Sequence, residues 1–87
     1  LPALNQSLQM LDCSSNQLTL LPALNQSLQG LDCSENQLIS LPTLNKSLLS
    51  LYCSNNLLPI LIQQGWLNKE QKNNINNALQ CLKRFIV

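Results

Sequence analysis

Three cysteines, Cys13, Cys33 and Cys53, recur at intervals of twenty residues, each opening the pattern Cys-Ser-x-Asn, and two of them follow an aspartate, Asp12 or Asp32. A thiol in such a setting could act as a nucleophile, pair with another thiol, or ligate a metal. Nucleophilic work needs a general base to generate the thiolate, and the chain contains no histidine. Metal ligation needs convergent donors, which a single column of thiols does not supply. Adjacent strands lie about 4.8 Å apart, a spacing that admits a disulfide, yet three stacked sulfurs cannot all pair with one another. A ladder of buried free thiols, each behaving as a small apolar residue, is the simplest account. It favours a reducing compartment, with no metal and no cofactor.

The elements that must hold these thiols are repeats. Aligned without gaps, Leu1–Leu20 matches Leu21–Ser40 at 16 of 20 positions, and Leu41–Ile60 matches it at 11 of 20. Each copy keeps the frame L-x-x-L-x-C-x-x-N-x-L, as in Leu28, Leu31, Cys33, Asn36 and Leu38. That frame is a leucine-rich repeat with cysteine at its third apolar position. Leu11-Asp12-Cys13 alternates with the period of a short strand, apolar residues inward and polar ones outward. Twenty residues are too few for a strand, two turns and a full helix, so the return path must be extended. The Leu-Pro that opens each copy (Pro2, Pro22, Pro42) suits that path, because proline offers no ladder donor and holds φ near the polyproline value.

The expected fold class is therefore α/β: a leucine-rich-repeat solenoid with a short parallel sheet on its concave side, an extended, polyproline-like convex side and a C-terminal helical cap. Residues 1–58 form the repeats and 59–87 the cap of one structural domain. Asn16, Asn36 and Asn56, just past each strand, read as a structural column whose amides satisfy the turns of neighbouring copies. Asn5-Gln6-Ser7, Asn25-Gln26-Ser27 and Asn45-Lys46-Ser47 match the N-glycosylation acceptor pattern, although repetition of the sequence explains them more simply.

In the third copy Tyr52 replaces aspartate and Pro59 enters, a drift typical of a capping transition. Pro59–Gly65 reads as a short helix with proline in its first turn and glycine at its stop. Asn68 with Gln71 resembles a capping box opening a second helix. Its apolar stripe of Ile75, Ala78, Leu79, Leu82 and Ile86, flanked by Cys81 and Phe85, should lie with Trp66 and Leu67 over the open edge of copy three. Asn73, Asn74, Asn77 and Lys83 form the polar face. A membrane-seeking helix would want a broader basic face.

Net charge is +1 over 87 residues, with Asp12, Asp32 and Glu35 against Lys46 in the copies and Glu70 against Lys69, Lys72, Lys83 and Arg84 beyond them. This is too sparse a basic set for a nucleic-acid surface. The outward strand positions are Met10, Asp12, Ser14, Gly30, Asp32, Ser34, Ser50, Tyr52 and Ser54; they form the candidate protein-binding face, with Tyr52 its best anchor. Gly30 there leaves no apolar stripe in its column. The first copy has none before it, so its strand is a bare edge, and a homodimer through that N-terminal edge is expected unless a cap or further repeats lie upstream.

The frame Leu-Pro-x-Leu followed by Ser-Leu-x-x-Leu-x-Cys-Ser-x-Asn-x-Leu resembles the 20-residue repeats of bacterial effectors of the IpaH, SspH and YopM type, over Leu1 to about Leu58. That resemblance implies secretion into the host cell cytoplasm, a role in virulence and capture of a host protein. The family commonly has a second Leu-Pro where this chain has Leu4-Asn5, Leu24-Asn25 and Leu44-Asn45, and valine where it has cysteine. Ligase members carry a Cys-x-Asp nucleophile in a separate domain, and nothing here matches it, so the chain reads as no enzyme. The alternative to a binding module is a purely structural role as the C-terminal end of a longer leucine-rich-repeat protein.

Overall fold

A computed structural model describes residues 2–59 and 62–86, the last five as helix backbone. Strands β1 (Met10–Asp12), β2 (Gly30–Asp32) and β3 (Ser50–Tyr52) are followed by β4 (Gly65–Trp66) and helix α1 (Lys69–Ile86). The sheet order is β1-β2-β3-β4. The first three strands are parallel, with Leu11, Leu31 and Leu51 in one row. β4 joins antiparallel, placing Ser50 opposite Trp66 and Leu51 opposite Gly65. The fold is thus α/β, with a mostly parallel sheet and a C-terminal helix.

The register follows from the period. A shift of one residue would turn Leu31 and Leu51 to solvent and the polar positions inward, whereas the twenty-residue translation leaves Leu31 and Leu51 at 2% and 0% exposure. Leu28, Leu48 and Leu38 are fully enclosed, while the first-copy residues Leu8 and Leu18 at the same positions, and Leu11 in the row of Leu31 and Leu51, are only partly buried. Each fully enclosed leucine contributes about 1.5–3 kcal/mol, so copies two and three carry far more of the burial than copy one. Between β1, β2 and β3 the described chain forms turns, bends and segments without regular structure, and no helix. In each copy a turn closes with the N–H of Leu8, Leu28 or Leu48 donating to the carbonyl of Asn5, Asn25 or Asn45. Past each strand the backbone turns through a left-handed residue, Ser15, Glu35 or Asn55, at φ of 57°, 55° and 56°. Asparagine tolerates this region well; serine and glutamate carry some strain there.

The expected helix over Pro59–Gly65 does not form. Ile60 and Leu61 lie outside the described residues, Ile62–Gln64 have no regular structure, and Gly65–Trp66 are strand. The reason is tertiary: β3 leaves an unpaired edge, and an extended segment satisfies its backbone groups where a helix would not. Gly65 turns the chain at φ 96°, a conformation that side-chain-bearing residues rarely adopt.

The second expected helix does form, and its capping box closes as read. The Gln71 N–H donates to Asn68 Oδ1 and the Asn68 N–H to Gln71 Oε1, both at 2.8 Å. Ile75 and Leu79 enter the core at 6% and 2% exposure, joined by Ile62 and Leu67. Ala78 is half-buried, Cys81 is exposed, and Asn73, Asn74 and Asn77 face solvent. Leu82, Lys83, Phe85 and Ile86 have side chains outside the described residues.

Beyond covering copy three, the C-terminal segment continues its hydrogen-bond columns. The Cys13 and Cys33 N–H groups donate to the carbonyls of Asp32 and Tyr52; the Cys53 N–H finds Gln64 Oε1 at 2.6 Å instead. The N–H groups of Gln29 and Leu49 donate to the carbonyls of Gln9 and Gln29, and Leu67 N–H repeats the bond to Leu49, each at 2.7 Å. Gln6 and Gln26 carbonyls accept from Asn25 and Asn45, and the Lys46 carbonyl accepts from Lys72 Nζ. Asn76 brackets Leu44, its Oδ1 accepting from the backbone N–H at 2.8 Å and its Nδ2 donating to the carbonyl at 3.3 Å. Groups of Gln64, Leu67 and Lys72 therefore stand where a fourth copy would place repeat groups.

Candidate interaction face

Residues paired across a sheet point to the same side, and so do residues two apart along a strand. With Leu31 and Leu51 turned into the core, the opposite side carries two columns: Met10, Gly30, Ser50 and Trp66, then Asp12, Asp32 and Tyr52. The nine predicted face residues fall into these columns or directly beyond them, and their exposure differs. Met10 and Tyr52 are 67% and 46% exposed. Asp12 and Ser54 are exposed, and Ser14, Asp32, Ser34 and Ser50 are half-buried.

Gly30 departs from expectation. It is buried, because the Met10 side chain lies across it: a Cβ built on Gly30 would stand 2.5 Å from Met10 Cε and 2.8 Å from Sδ. A side chain at position 30 would displace the thioether. Gly30 and Ser50 interrupt the column, which has no continuous apolar stripe, but large apolar side chains stand at both of its ends.

The second of them, Trp66, lies in the face and not in the core. At 76% it is the most exposed large apolar residue described, whereas its neighbour Leu67 is 7% exposed. Alternation along a strand allows only one of two adjacent residues to point inward; placing both over copy three was incompatible with a strand. Alternation marks Trp66 as outward only where Gly65–Trp66 is extended, and the proline and glycine signals of Pro59–Gly65 point to helix instead.

The aspartates are oriented by their own turns. Asp12 Oδ1 accepts from the Ser14 hydroxyl at 2.6 Å and the Ser14 N–H at 3.1 Å, and Asp32 repeats both distances with Ser34. The Ser14 hydroxyl, then its N–H, hold the Asp12 carboxyl below its ordinary range, so it is ionised at neutral pH. Ser15 Oγ donates to Glu35 Oε2 at 2.7 Å. The described lysines belong to neither column: Lys46 lies in the turn before β3, and Lys69 and Lys72 in the first turn of α1.

Behind the face, the asparagine column holds the turns. Asn36 Nδ2 donates to the carbonyls of Cys13 and Cys33 at 3.0 Å each, and its Oδ1 accepts from the Leu18 N–H at 3.0 Å. Asn56 repeats this one copy on, with Cys33, Cys53 and Leu38. Asn16 bonds only within its own turn, to the carbonyls of Cys13 and Ser14. A second column escaped the reading of the sequence. Asn25 and Asn45 are 5% and 6% exposed, and their Nδ2 atoms donate to the carbonyls of Leu8 at 2.6 Å and Leu28 at 2.8 Å. The nitrogen a glycan would occupy is enclosed and engaged, so these two sites are not acceptors.

Cys13, Cys33 and Cys53 are buried and free. Burial above all pushes the Cys33 thiol up to about 12 and that of Cys53 to about 11, and raises Cys13 too. Thiols so protonated are poor nucleophiles and poor ligands. Among the described residues no three of His, Cys, Asp and Glu converge as a metal site would require. No described helix is long and apolar enough to cross a membrane. No protein-family model, characterised protein or solved structure matches this chain.

Proposed function

We propose that the chain is a protein-interaction module of the leucine-rich-repeat kind, in which the face formed by Met10, Asp12, Asp32, Tyr52 and Trp66 is the concave side of a short solenoid and docks a protein partner. The observation that carries this reading is the coincidence of three large exposed side chains on a sheet face with no described covering element. Exposed apolar groups gathered on a rigid scaffold mark interaction surfaces, and tyrosine and tryptophan dominate binding energy where they occur. On this reading the protein acts in a reducing compartment, consistent with three free thiols in one core. Delivery into a host cell, as in the effectors its repeats resemble, completes the proposal. Catalysis has no part in it.

The face spans about 14 Å across four strands at about 4.8 Å each, small beside the roughly 800 Å² per partner of a stable complex. Binding by this unit alone is weak, and additional copies would extend it. The test is affinity capture of partner proteins by the chain and by a Tyr52→Ala/Trp66→Ala variant. Loss of a captured protein, with an unchanged denaturation midpoint, supports the reading; identical capture overturns it.

A second reading has its own observation. The substitution of Gln64, Leu67 and Lys72 for fourth-copy groups suits a segment that ends a longer array and blocks its edge. Terminal units of this sort keep repeat arrays soluble. The outer edge of β1, unpaired among the described residues, would then receive a further repeat or a second copy of the chain.

A further inference from the structure

We infer that the occupant of this face is a cationic peptide segment, with an arginine or lysine placed over Asp12 and Asp32 against the Tyr52 ring and an apolar neighbour seated between Met10 and Trp66. The inference rests on the binding reading above and specifies its partner. Its starting point is shape: Met10 and Trp66 stand at the two ends of a column whose middle members, Gly30 and Ser50, carry almost no side chain. The column is therefore a low strip between a thioether and an indole, and the thioether now covers its Gly30 end. The Met10 side chain now lying over Gly30 is unbranched and flexible, so it can swing aside to admit an aliphatic group.

Charge complementarity selects the neighbour. Asp12 and Asp32 occupy adjacent strands in direct register, where like charges repel. Asp12 and Asp32 are the charged members of the two columns, so the charge these columns carry is negative. Tyr52 continues the aspartate column, and Trp66 continues the one beside it. Carboxylates beside exposed aromatic faces favour a cation twice, through Coulomb attraction and through the ring quadrupole. An acidic or neutral segment gains neither.

The test uses Trp66, the chain's single tryptophan, as reporter. Acetylated and amidated hexapeptides of alternating leucine with arginine, glutamine or glutamate are titrated into the full chain while indole emission is followed. The arginine peptide is expected to change the emission saturably, at least tenfold tighter than the glutamine peptide, with weakening as salt rises. An Asp12→Asn/Asp32→Asn variant, which keeps an acceptor for Ser14 and Ser34, should lose about tenfold toward the arginine peptide and nothing toward the glutamine peptide. Equal affinities for the arginine and glutamine peptides, or tighter binding of the glutamate peptide, overturn the cationic partner while leaving the face as a binding surface. No emission change with any peptide overturns this inference and removes Trp66 from the surface proposed above. A shift in emission with protein concentration alone, matched by a dimer mass in sedimentation, assigns the face to a second copy and likewise overturns it.

Discussion

Asn36 ties the carbonyls of Cys13 and Cys33 to the N–H of Leu18, so one side chain closes the turns of two copies. Removing it strands buried backbone groups at about 1–3 kcal/mol each. Asn36→Ala is expected to cost about 2–4 kcal/mol in urea denaturation. Asn16→Ala, at an exposed position bonding only its own turn, should cost under about 1 kcal/mol. The thiols give a second residue-scale prediction. Buried Cys13, Cys33 and Cys53 should resist iodoacetamide in the native protein while exposed Cys81 reacts. Because folding raises these pKa values above the ordinary 9.0, the unfolded chain loses its thiol protons first as pH rises. Stability is full below about pH 9 and declines from there toward 12, the direction set by linkage; denaturation midpoints at pH 8 and 10.5 measure it.

At the scale of elements, residues 62–65 of the expected Pro59–Gly65 helix are not helical. Local signals, a proline in the first turn and a terminal glycine, point to helix; the open edge of β3 and the unpaired N–H of Cys53 demand an extended partner. The edge prevails, because a buried unsatisfied backbone group costs more than a few residues of helix propensity return. Gln64→Ala should therefore destabilise by about 1–3 kcal/mol through the orphaned Cys53 N–H. Asn68→Ala, which opens the capping box of α1, should cost about 1 kcal/mol. Thermal unfolding followed by circular dichroism measures both. If Gln64→Ala leaves the midpoint unchanged, its carbonyl is not the continuation of the strand column.

For the whole molecule, the gradient of burial is the guide. Leucines that are fully enclosed in copies two and three are only partly covered in copy one, so each added interior copy contributes a complete interface while both ends stay as they are. On the solenoid reading, inserting a second Leu21–Ser40 after Ser40 should raise both the urea midpoint and the dependence of unfolding free energy on urea, which follows the surface exposed. A lower midpoint, or two separated transitions, would show that the copies do not add as equivalent neighbours.

The twenty-residue translation was legible from residue types alone, and with it the row of Leu11, Leu31 and Leu51, the cysteine ladder and the Asn36–Asn56 column, since a repeated chain under one register must superpose like on like. The opening of α1 was equally legible, because Asn68 and Gln71 satisfy each other locally. What lay outside the sequence were the features set by groups far apart along it. Gly65–Trp66 became strand only because β3 offered an edge, and that choice turned Trp66 outward onto the face proposed for binding. Asn25 and Asn45 looked like surface motifs until a preceding copy supplied the carbonyls of Leu8 and Leu28 to enclose them. Local patterns carry local satisfaction; only packing brings the distant donor, acceptor or open edge that decides the remainder.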